Sequence, residues 1–133
     1  MKTLAGLLLV ISLSSAPLAG WAEESSFANF ESPQGRPLVI SRDGSRLFAV
    51  NTPASTVAIY SLKNPRVPRL LKEVPVGLEP VSLAENSSNQ LWVVNHLSDS
   101  VSVVNTVLGA VAVTIQLADR PGDIVFAGNP RRA

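Results

Sequence analysis

The sequence predicts an all-β fold: antiparallel four-stranded propeller blades, a partial β-propeller, behind an N-terminal signal segment. Three observations carry this. A unit of about 43 residues occurs twice and opens a third time, with Pro37, Pro80 and Pro121 in phase at steps of 43 and 41 and Asn51 to Asn95 spaced by 44, which is the period of a propeller blade. Short Val-rich runs alternate with turn residues, and no long stretch shows a 3.6-residue period, so little or no helix is expected after the signal. The apolar fraction of 46% is ample for a core in a chain of 133 residues.

The elements follow in order. Residues 1–22 read as an export signal: Lys2 at the positive start, Leu4 to Leu13 as the apolar core, and Gly20-Trp21-Ala22 as a small-x-small cleavage site. That apolar run is about half the roughly 20 residues needed to cross a bilayer, so no stable membrane anchor is expected after cleavage. Residues 23–35 form a lead-in. The first blade, 36–78, has strands near Leu38 to Ser41, Arg46 to Asn51, Thr56 to Leu62 and Leu70 to Val76. The second, 79–119, has strands near Val81 to Ala84, Gln90 to Asn95, Ser100 to Asn105 and Ala110 to Leu117. The third begins at 120–133, with Gly122 to Ala127 expected as its innermost strand.

Turn chemistry marks the breaks. Asp43-Gly44 sits between two apolar runs, where a tight hairpin needs the positive φ that glycine adopts cheaply. Asn86-Ser87-Ser88-Asn89 occupies the equivalent turn of the second repeat, and Asn64-Pro65-Arg66-Val67-Pro68 lengthens the third turn of the first. Asn51 and Asn95 end their strands, where an amide can bond the backbone that follows.

Charge and cysteine usage exclude several functions. Removal of the signal takes away Lys2 and leaves Lys+Arg equal to Asp+Glu, so the mature chain is formally neutral. With no basic stretch there is no counterion-release term for nucleic acid, and no nucleic-acid partner is expected. The chain has no cysteine, which removes disulfides, thiolate metal sites and c-type haem attachment. No cofactor is expected.

These residues resemble the repeats of the YVTN-type, YncE-like β-propeller family. The matching residues are Pro37, Asp43-Gly44, Phe48-Ala49-Val50-Asn51, Val57-Ala58-Ile59 and Val76-Gly77, then Pro80, Trp92-Val93-Val94-Asn95 and Val101-Ser102-Val103-Val104. In both copies Val stands where the motif has Thr, and the second lacks Asp-Gly. The resemblance implies a ring of about seven blades, of which this chain offers two and a fraction. Three explanations stand: a truncated product or fragment, several chains assembled into one ring, or a small stable sheet structure. Open blade edges also offer a route to self-association.

Strands of a blade run in alternate directions, so the turn after the second strand and the connection between blades emerge on one face. The candidate ligand-binding face therefore comprises Arg36, Glu79, His96, Asp99 and Arg120, with Ser98 and Asp119 nearby. His96, the only histidine, is either a general base or metal ligand beside Asp99 or Glu79, or a loop side chain bonded to its own turn; one histidine without a carboxylate cluster favours the second. Glu79, Asp99, Asp119 and Asp123 either pair across blades or serve as turn residues and solubilising charges. Phe48 and Trp92, at equivalent strand positions, are expected to join neighbouring blades rather than stack on a ligand. No Gly-x-Ser-x-Gly elbow or phosphate loop is present, and no catalytic or metal residues are assigned. The expected function is an exported binding or scaffold module, periplasmic or extracellular, for a protein or small-molecule ligand. The alternative implied by the resemblance is part of a propeller enzyme, lactonase-like or associated with an oxidoreductase, needing further blades.

Overall fold

The computed structural model describes residues 33–128 and 132–133. It contains eight strands: β1 (Leu38–Ile40), β2 (Arg46–Asn51), β3 (Thr56–Ser61), β4 (Arg69–Pro75), β5 (Pro80–Ser87), β6 (Gln90–Asn95), β7 (Ser100–Asn105) and β8 (Ala110–Gln116). They form two antiparallel sheets, β1-β2-β3-β4 and β5-β6-β7-β8, each a simple meander. These are two propeller blades. No helix occurs among the described residues. The expected export signal of residues 1–22 and most of the expected lead-in lie outside them.

Each turn forms for a local reason. Between β1 and β2, Gly44 adopts φ 71°, and Asp43 Oδ1 accepts from the Ser41 hydroxyl at 2.6 Å and from the Ser45 amide at 3.0 Å. The Ser41 hydroxyl oxygen in turn accepts from Arg46 N at 2.9 Å. Those contacts, the Ser41 hydroxyl first and then the Ser45 amide and hydroxyl, with the Arg46 charge adding, hold the Asp43 carboxyl down at about 2. A carboxylate whose folded value lies below its unfolded value of 3.8 stabilises the fold fully above the unfolded value, and that contribution is lost as pH falls toward the folded one. The stability difference between wild type and Asp43→Asn is therefore expected to be constant at neutral pH and to shrink between about pH 4 and 2. Urea titrations across that range read it directly, and a difference that does not change with pH contradicts the assignment.

The strand pattern buries one side of each sheet against the other. Phe48, Val57, Ile59 and Val74 of the first blade pack on Leu83, Leu91, Val93 and Val104 of the second, forming the main core. Arg42 and Glu85 tie the edge of this interface, with Arg42 N donating to Glu85 Oε2 at 2.8 Å. Lys72 closes the opposite end by donating to the carbonyls of Val107 and Leu108, both at 2.8 Å. Gly35 and Arg36 add a parallel bridge alongside β5, with Gly35 N donating to Val81 O and Leu83 N to Arg36 O, both 3.0 Å.

Equivalent positions differ where a neighbouring sheet is present for one blade alone. Leu38 is 59% exposed, whereas its counterpart by strand register, Leu83, is at 0%, and Ile40 is 60% exposed where its counterpart Glu85 is at 9%. Asn51 is exposed, and its amide oxygen accepts from Ala54 N in the expected turn. Asn95 is wholly buried and instead donates sideways to the hydroxyls of Ser100 and Ser102. The neighbouring connector, Val76 to Glu79, covers it and removes the solvent that Asn51 enjoys.

The expected strand from Gly122 to Ala127 does not form. An innermost strand takes its ladder from the second strand of its own blade, and the described residues beyond it supply only the isolated Ala127–Arg132 bridge. The segment nevertheless lies across the free face of the second blade, where Val81, Val94 and Val101 are joined by Trp92, Ile115 and Ile124. Trp92 meets Phe126 edge to face, with ring centroids 5.2 Å apart and an interplanar angle of 86°.

Candidate functional site: the connector face

The β6–β7 turn, residues 96–99, and the connectors on either side of it form one continuous surface. His96 N donates to Glu79 O at 2.9 Å, Leu97 N to Leu78 O at 3.3 Å, and Leu78 N to the Ser98 hydroxyl at 3.0 Å. On the other side, Leu117 N donates to Asp99 O at 2.7 Å. His96 Nδ1 lies 3.0 Å from Pro121 O; a carbonyl only accepts, so Nδ1 carries the proton of this bond. His96 thus fastens the second connector to the turn, rather than bonding its own turn.

Backbone conformation explains one of the acidic positions. Ser55 and Asp99 occupy the same place in their turns and have φ of 54° and 47°, and Glu79 has φ of 56°. The left-handed region is costly for most side chains and least so for Asn and Asp. Asp99 suits its turn for this reason, and the carbonyl that it offers to Leu117 depends on that conformation.

A second cluster lies on the inner strands. The Arg36 guanidinium donates to Ile124 O at 3.2 Å and pairs with Asp123 at 3.5 Å, and the Ser82 hydroxyl donates to Asp123 Oδ1. Ser82 foremost, then the Ile124 amide, with the Arg36 charge adding, hold the Asp123 carboxyl below its usual value. Gly35 permits the approach, since a Cβ there would lie 2.9 Å from Gly122 O.

The predicted site residues therefore separate. Glu79 and His96 are joined through the backbone, with Asp99 in the same turn. Arg120 is exposed at the rim, its amide donating to Asp119 Oδ1 at 2.8 Å. Arg36 belongs to the inner cluster with Asp123. Among the described residues, no three His, Cys, Asp or Glu side chains converge as a metal site would require. The partnership of Arg36 with Ser82 and Asp123 was missed from sequence because it joins residues 87 positions apart; the in-phase placement of Ser82 and Asp123, each two residues after a repeat proline, was the available signal.

No family model matches the chain, and no curated protein matches it. Among solved structures the chain is similar to Kuenenia stuttgartiensis hydrazine synthase, with 27% identity and a TM-score of 0.59 over 74% of this chain. The chain spans 28% of the length of that hydrazine synthase chain.

Proposed function

We propose that the chain is a YVTN-type propeller segment exported to the periplasm or beyond the cell, where it acts as a binding or scaffold module. In this reading residues 1–22 are the cleaved leader, 36–78 and 79–119 the blades, and 120–133 the opening of a third. The observation that carries it is the connector face: Glu79, His96 and Asp99 are held by backbone bonds between rigid sheets, the placement in which loops serve recognition. Arg120 supplies a cation at its rim and Arg36 a second at the inner strands. The occupant is a protein or small-molecule ligand.

The protein in its native exported fraction tests this. Mass spectrometry is expected to find an N-terminus at Glu23, and carboxylate-directed cross-linking to place partner contacts at Glu79, Asp99 and Asp119. An N-terminus at Met1 contradicts export by a cleaved leader. Cross-links confined to Glu73 on β4 contradict recognition through the connectors.

A further inference from the structure

The neutral charge of the mature chain conceals an uneven placement. Residues 62–68 join β3 to β4, whereas the tight turn 106–109 joins β7 to β8, and the longer loop builds a cleft of about 630 Å³. Arg46, Lys63 and Arg69 line it together with Val67, Pro68 and Leu71; Ser45, Ser61 and Asn64 complete the wall. Among the described residues no carboxylate lines it, although the Asp43 carboxylate in the adjoining turn feels the Arg46 charge. The ion pairs between described residues are Arg36–Asp123 and Arg42–Glu85, so none of the three cations is in one.

We infer that this cleft binds a small amphiphilic anion, a carboxylate or similar headgroup on a short apolar body. The comparison between repeats argues that the fold does not require the cleft. Strand register equates Arg46, Ser61 and Arg69 with Gln90, Asn105 and Ala110. Leu71 is the extra residue of the β3–β4 bulge, and its counterpart in the second blade is Ala112. Three cation or large apolar positions in one blade are thus uncharged or small in the other, on the same backbone. Insertions confined to one repeat are where repeat proteins place binding surfaces.

The cleft is also built rather than draped. Leu62 N donates to Ser45 O at 2.8 Å, Val67 N to Asn64 O at 3.1 Å, and Arg66 N to Asn64 Oδ1 at 3.2 Å. Pro65 and Pro68 fix their own φ, which lowers the ordering cost of binding. Arg46 is held by its bond to the Thr106 hydroxyl at 3.0 Å. Charges on an outer strand also guard sheet edges against association. Edge protection accounts for Arg69 and Lys72, but not for Arg46 on β2, and the outer strand β8 of the second blade carries no charge at all.

Octanoate and its neutral analogue octanamide test the inference on the mature chain, with binding mapped by amide NMR shifts. Octanoate is expected to shift Ser45, Val67 and Leu71 saturably. Lys63→Gln with Arg69→Gln is expected to weaken it by about tenfold or more, the loss of charge-assisted hydrogen bonds, and octanamide to bind weaker by a similar factor. Circular dichroism confirms that the variant is folded, since both side chains are solvent-facing. Absence of octanoate binding at millimolar concentration, shifts mapping to Trp92 and Ile115 instead, or equal binding of octanamide would each overturn it. So would inorganic phosphate binding as tightly as octanoate, or anionic lipid vesicles binding the chain without displacement by octanoate.

Discussion

Phe48→Ala is expected to destabilise the chain by about 3–5 kcal/mol, the range for removing a fully buried aromatic ring. Phe48 is at 0% exposure and fills the space between the two blades, against Leu83, Leu91, Val93 and Val104. Close-packed interiors do not collapse around a lost ring, so the cost includes a cavity as well as lost burial. The equivalent change Trp92→Ala serves as the internal comparison. Trp92 is the larger residue, yet it is half-buried and covered by Phe126 and Ile124 from an irregular segment. Its loss is expected to cost about 1–2 kcal/mol, in keeping with partial burial. Urea unfolding followed by circular dichroism measures both. A loss for Trp92→Ala equal to or above that for Phe48→Ala contradicts the view that the inter-blade contact holds this chain together.

Gly77→Ala is expected to cost about 1–3 kcal/mol by overpacking. An alanine Cβ there would lie 2.4 Å from the Ser98 hydroxyl and 2.6 Å from the Asn95 amide. Neither neighbour can yield easily: Asn95 is buried and bonded to Ser100 and Ser102, and Ser98 accepts from Leu78 N. The connector must lift away, and the bond from His96 N to Glu79 O lengthens with it. Gly44→Ala provides the contrast, because its Cβ meets nothing within 4 Å and its cost is the positive φ alone, about 1–2 kcal/mol. The two differ in amide exchange. Gly77→Ala is expected to speed exchange at His96 and Leu97, and Gly44→Ala to leave them unchanged; protected His96 and Leu97 amides in Gly77→Ala would contradict the close approach.

The strand pattern was largely legible because its causes are local. Asp43-Gly44 makes its turn through the side chains of Ser41 and Ser45, and period-2 alternation places the others within a residue or two. β5 is longer than expected, running to Ser87 rather than Ala84. Glu85 extends it by accepting from Arg42 N in the neighbouring sheet, a contact with no local signal. The candidate site was legible in part. Glu79, His96 and Asp99 share a face because strand direction alternates, a rule of topology. Arg36 went elsewhere because Asp123 and Ser82 offer it a charged and hydrogen-bonded partner across β5.

What the sequence by itself determined is the meander of each blade: the positions of strands and turns follow from alternation and from residues that tolerate or forbid particular backbone angles. What only the tertiary structure decided is which of the in-phase apolar residues are buried and whether a strand-forming segment pairs. Leu38 and Leu83 hold the same place in the strand register, yet one is 59% exposed and the other 0%. Burial and ladder pairing belong to the neighbour as much as to the residue: Leu83 gains its burial from the first blade, and Gly122 to Ala127 stays irregular where no second strand among the described residues lies beside it.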